Sequence, residues 1–170
     1  MNLVTATMDT GLAHAAQTGQ TEVVRILLAE PAVNVEAATS AGFTPLALAA
    51  KERGNAEIVR LLLDAGANAN VVSSPGGHTA LMHAASGGDT EMVHMLLAAN
   101  ADVTVSNDEG ATALMLAALP GGGVEDYPCS EIVSLLLVAP GLDANMRASN
   151  GFTALILAAS VGHVEGVTAL

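Results

Sequence analysis

A chain of 170 residues in which 51% are hydrophobic and 13% charged is long enough to bury a core and too apolar to remain unfolded. Its formal charge of −12, from 17 acidic residues against Arg25, Lys51, Arg53, Arg60 and Arg147, leaves no basic stripe to neutralise a phosphate backbone, which argues against nucleic acid as a partner. One cysteine, Cys129, excludes an internal disulfide framework and a cysteine-rich zinc site, and no window reaches the roughly 18 uninterrupted apolar residues of a membrane span.

The first predicted element opens at Thr10 in TGLAHAAQTG and is followed by TEVVRILL from 21. The second opens at Thr44 in GFTPLALAA and continues with AEIVRLLL from 56. The third pairs GHTALMHAA around Thr79 with TEMVHMLL from 90, and the fourth pairs GATALMLAA around Thr112 with SEIVSLLL from 130. The fifth repeats GFTALILAA around Thr153 and ends in a truncated VEGVTAL from 164. Five units result, at about 10–43, 44–78, 79–111, 112–152 and an incomplete 153–170. A recurrence near 33 residues marks stacked supersecondary units.

Each phrase has a physical reading, clearest in the second unit. Gly42 permits a turn backbone that other residues resist. Thr44 can cap a helix whose first position, Pro45, lacks only an N–H that would be unpaired anyway. Leu46, Ala49 and Ala50 share a face, and the two alanines let a neighbouring backbone come close. Gly54 ends that helix. Glu57 then suits the amino end of the next helix dipole, with Ile58, Leu61 and Leu62 as an apolar stripe. The same acid recurs as Glu22, Glu91, Glu131 and Glu165. A stretch rich in Gly, Asn, Asp and Ser leads to the next Gly-x-Thr, as a hairpin or tight turn requires. Neither helix reaches the roughly 12 residues needed for stability alone, so each unit must bury its apolar face on its neighbours.

GFTPLALAA followed by GNAEIVRLLLDAGANAN resembles an ankyrin repeat, with its Gly-x-Thr-Pro-Leu start, Ala-Ala pair, Gly-x-x-Glu-Ile-Val-x-Leu-Leu-Leu core and closing Gly-Ala-x-x-Asn. The resemblance runs from about residue 10 to 170. It implies an all-α solenoid of antiparallel helix pairs joined by β-hairpin or turn-like fingers. The family usually has His after the Leu of Thr-Pro-Leu, where it bonds neighbouring backbone. Here that place holds Ala13, Ala47, Met82, Met115 and Ile156, so apolar packing is expected to replace that bonding. Extra residues sit at Glu30-Pro31, in Lys51 to Gly54, in Val72 to Gly77, and most of all in Leu119 to Ser130.

The resemblance also implies a non-catalytic scaffold that binds a protein partner in a concave groove of fingertips and first helices, with no cofactor. Positions that differ between copies are free to recognise it. At the fingertips these are Ser40, Ala41 and Phe43; Ser74, Gly76 and His78; Asp108, Glu109 and Ala111; Ser149, Asn150 and Phe152. The first helices add Leu48, Lys51, Glu52, His83, Leu116 and Leu157. Phe43 and Phe152 stand where Ala111 and His78 show that nothing large is needed. They either anchor a partner or cover the adjacent hairpin. The acidic balance favours a basic target. A second reading makes the chain the targeting segment of a larger enzyme or regulator, because its last helix would leave an apolar face without a polar capping repeat.

Catalysis finds no support: there is no nucleophile with a base, no carboxylate pair and no cofactor loop. Cys129 follows Pro128 with no histidine nearby in sequence, and Gly121 to Gly123 lack the Lys-Ser/Thr of a phosphate loop. Of His14, His78, His83, His94 and His163, none has the spacing of a metal pair, and His163 falls where the family places a structural Gly-His. The insertion 119–130 reads as a tolerated surface loop or a private contact. Leu137, Asp143 and Asn145 have the spacing of ankyrin asparagines that hydroxylases modify, making Asn145 a candidate modification site. An intracellular, cytoplasmic protein is expected, with a nuclear one as the alternative.

Overall fold

A computed structural model describes residues 11–73, 75–119 and 129–170. The units of the sequence each carry one helix pair. These are α1 (11–17) with α2 (Thr21–Leu28), α3 (Pro45–Lys51) with α4 (Ala56–Asp64), and α5 (Ala80–Gly87) with α6 (Thr90–Ala98). The series continues as α7 (Ala113–Ala117) with α8 (Cys129–Leu137), and α9 (Ala154–Ser160) with α10 (Val164–Ala169). Within a pair the two helices pack on each other, as α3 does on α4, α5 on α6, α7 on α8 and α9 on α10. Between pairs, α3, α5, α7 and α9 form one row of first helices, and α2, α4, α6 and α8 a second row behind it. This is the all-α ankyrin-repeat solenoid that the sequence implies. Among the described residues the only β structure is the isolated bridges Ser73↔His78 and Ser106↔Thr112.

The four threonines cap as their chemistry predicts. The hydroxyls of Thr44, Thr79, Thr112 and Thr153 accept the amides of Ala47, Met82, Met115 and Ile156 at 3.2, 3.3, 3.4 and 3.3 Å. Immediately before each threonine a hairpin closes by a backbone bond: Thr39 to Phe43, Ser73 to His78, Asn107 to Ala111 and Ala148 to Phe152. Neighbouring hairpins stack through their own backbones, Asp108 donating to the carbonyl of Gly76 and Ser149 to that of Glu109. Glycine is required here twice over. Gly77 has φ +70°, and a Cβ on it would lie 2.5 Å from Asp108 Oδ1; Gly110 has φ +75°, with Ser149 N at 2.8 Å.

The core is a continuous file of Leu, Val, Ile, Met and Ala running through the pairs. Leu46, Ala49 and Ala50 are buried as expected, and so is every other residue from Pro45 to Ala50, because α4 covers one flank of α3 and α5 another. The stripe expected on the next helix needs correction. On α4 the buried stripe is Ile58, Val59 and Leu62, with Leu61 only half-buried. A helix flanked by α2 and α6 needs adjacent positions such as Ile58 and Val59 to serve its two neighbours.

At the far end of the row the pattern breaks. Leu155 occupies the place of Leu12, Leu46, Leu81 and Leu114, yet it is 47% exposed where those four are buried. Ile156 and Val167 are likewise exposed while their counterparts, such as Met115 and Val133, are buried.

Candidate functional site

Residues from three successive units build a compact ring cluster on the first-helix face. Phe43 precedes the cap of α3, Lys51 ends α3, His78 precedes the cap of α5, and His83 lies within α5. His78 and His83 stack with ring centroids 5.2 Å apart and planes inclined 22°. Phe43 approaches His83 at 6.4 Å, and the Lys51 ammonium sits 5.5 Å from the centre of the Phe43 ring. Such a cation over a partly exposed aromatic contributes on the order of 1 kcal/mol. The Asn107 amide donates to His78 Nε2 at 3.3 Å, whereas His83 Nε2 is buried with no hydrogen-bond partner. Burial, reinforced by the positive charge that His78 and Lys51 bring near, pushes the His83 imidazole down to about 4, so it stays neutral at ordinary pH.

The other positions singled out by sequence fall into three groups. Ser40, Ala41, Lys51, Glu52, Asp108, Glu109, Ser149 and Asn150 are exposed, as is Phe152 at 38%. Phe43, Gly76, His78, His83, Leu116 and Leu157 are half-buried. Leu48 and Ala111 leave the set of free positions: at 5% and 8% exposure they are part of the packing, since α3 is enclosed by α4 and α5 and Ala111 is tucked under the hairpin that Asn107 closes. Ser74, and the insertion from 120 to 128, lie outside the described residues. Asn145 is exposed, its backbone N–H donating to Asp143 Oδ1 at 2.9 Å.

Two residues that the sequence reading passed over shape this face. Asn107 is buried and its Oδ1 accepts the amides of Glu109 and Ala111 at 3.0 and 2.8 Å, setting the fingertip that displays Asp108 and Glu109. Its position just before a turn is where asparagine mimics a backbone turn, a signal legible in sequence. Arg53 donates from Nε to the Gly87 carbonyl at 2.6 Å and from Nη2 to that of Gly88, tying the α3–α4 turn to the end of α5.

Charge is distributed unevenly between the two rows. Glu22, Glu57, Asp64, Glu91, Glu131 and Glu165 are exposed on second helices, answered there by Arg25 and Arg60. The hydrogen bond from Arg60 holds the Glu57 carboxyl below its usual range, outweighing an opposing desolvation, with the charge of Arg60 and then Arg25 adding to the effect. The first-helix and fingertip face instead mixes Lys51 and Arg147 with Glu52, Asp108 and Glu109. Among the described residues no three His, Cys, Asp or Glu side chains are grouped as metal ligands.

A family model for ankyrin repeats, three copies long, matches residues 1–73 and 65–148. The chain belongs to the ankyrin-repeat family. Its last ankyrin unit, α9 and α10, lies beyond the matched residues, yet Thr153 caps it as Thr44 caps α3. Ankyrin repeats are generally protein-interaction modules and typically non-catalytic. No curated protein matches the sequence significantly. No helix among the described residues is long and apolar enough to cross a membrane.

Proposed function

We propose that this ankyrin array is a non-catalytic scaffold gripping part of another protein along the groove formed by its fingertips and first helices. The observation that carries the reading is the division of labour along each repeat. The capping threonines and the leucines and alanines behind them are consumed in the stack. Side chains that differ from copy to copy, Lys51, His78, Asp108, Glu109, Ser149 and Asn150, stay accessible on one continuous row. A basic surface on the partner suits Asp108 and Glu109 at the third fingertip and is drawn in by the net charge of −12. A reducing intracellular compartment, cytoplasmic in the first instance, accords with a single cysteine.

The test begins with a partner identified by crosslinking in the native cell and purified. Reversing both acids, Asp108→Lys with Glu109→Lys, should weaken its binding by about tenfold or more and flatten its salt dependence. The reversal Glu91→Lys on the second-helix row should leave affinity within about twofold. Equal effects from both faces, or none from the fingertips, would overturn the reading.

A further inference from the structure

Resting on that reading of the face, we infer that the cluster of Phe43, Lys51, His78 and His83 is a subsite for a carboxylate side chain of the partner with an apolar or aromatic residue beside it. In a chain of net charge −12, Lys51 brings a cation to this cluster, beside the exposed Glu52. Lys51 makes no ion pair among the described residues, and its ammonium is held over the Phe43 ring at 5.5 Å. A cation on an aromatic face keeps its N–H donors directed outward, and a carboxylate meets them with charge-assisted bonds. Arg53, two residues on, has its Nε and Nη2 donors taken by Gly87 and Gly88, and the exposed Glu52 lies between the two cations in sequence.

Beneath the ammonium the rings of Phe43, His83 and His78 form a half-buried platform assembled from three successive units. Because His83 stays uncharged, the platform offers flat, weakly polar surface of the kind that aromatic and apolar side chains stack on. A lysine or arginine arriving there would meet Lys51 and be repelled, whereas an acid followed by an aromatic satisfies both parts. Asp108, whose N–H donates to the Gly76 carbonyl, borders the cluster on its His78 side with Glu109 next to it, so the partner would present acid to Lys51 and base beside His78, which fixes the direction in which it lies.

The experiment uses the full chain and four capped probes: acetyl-Gly-Glu-Phe-Gly-amide and its Gln-Phe, Lys-Phe and Glu-Ala counterparts, titrated to millimolar concentration while imidazole and amide shifts are followed by NMR. The Glu-Phe probe should shift the His78 and His83 resonances and bind about tenfold tighter than the Gln-Phe or Lys-Phe probes. Lys51→Ala should erase that preference and Lys51→Glu should turn it toward Lys-Phe. Phe43→Leu should keep the preference for acid but lose the advantage of Glu-Phe over Glu-Ala. Lys51 is exposed, so its variants keep the fold, as circular dichroism would verify. Four probes that bind alike, or a Lys51→Glu chain with unchanged preference, would overturn the subsite. A native partner weakened by the Asp108 and Glu109 reversals but indifferent to Lys51→Glu would remove the subsite and leave the scaffold standing. Indifference to both would remove the scaffold reading itself.

Discussion

The side-chain amide of Asn55, in the turn between α3 and α4, donates to the backbone carbonyl of Ala16 at 3.1 Å, joining the second repeat to the end of α1. Asn55 is 8% exposed, so neither group has free access to water. Carbonyls at the end of a helix have no partner within it, and here the neighbouring repeat supplies one. Asn55→Ala leaves the Ala16 carbonyl unpaired and should cost about 1–3 kcal/mol, read as a lower urea midpoint at unchanged slope. A midpoint unmoved by the substitution would mean that this bond adds nothing to the stack.

Leu114 and Leu155 occupy the same place in successive repeats, one at 2% exposure and the other at 47%. Leu114→Ala should therefore destabilise by about 2–5 kcal/mol and Leu155→Ala by less than about 1 kcal/mol. Urea unfolding of the two variants gives both numbers. Equal losses would contradict the repeat register.

His83 makes stability depend on pH in a defined window. Its folded pKa, about 4, lies below the ordinary value of 6.5. Above about 6.5 both folded and unfolded states hold it neutral, and it has no effect. As pH falls from 6.5 toward 4 the unfolded chain takes up the proton that the folded one refuses, so stability declines through that window and levels off below it. One decade of proton affinity is about 1.4 kcal/mol, so the full decline is on the order of 3 kcal/mol. His83→Leu should shrink it, and thermal melts of both chains at pH 7, 5.5 and 4.5 would tell; identical profiles would show that His83 titrates normally.

Much of the fold could be read in advance because its signals are local. A threonine three residues before the amide it accepts, a glycine at the turn and a glutamate in the first turn of each second helix act within a few residues of themselves. The missing histidine after each leucine was also read correctly in part: Ala13, Ala47, Met82 and Met115 fill that place as buried apolar residues. Polar bonds between repeats were nonetheless not lost. They arise at the helix-to-helix turns, from Asn55 to Ala16, Arg53 to Gly87, and His163 Nδ1 to the Ala118 carbonyl at 3.0 Å. That last bond gives His163 the structural role expected of it, but the partners lie 34 to 45 residues apart and no periodicity points to them.

By itself the sequence determined how many helix pairs the chain makes, where each begins and which row each helix joins, since capping, turn chemistry and apolar spacing operate over a few residues. Only the tertiary structure decided which variable side chains stay free. It took Leu48 and Ala111 into the packing, left Leu155 bare, and brought Phe43, Lys51, His78 and His83 into one cluster. The physical reason is that exposure and ring contacts depend on how one repeat sits against the next, a distance of some thirty residues along the chain.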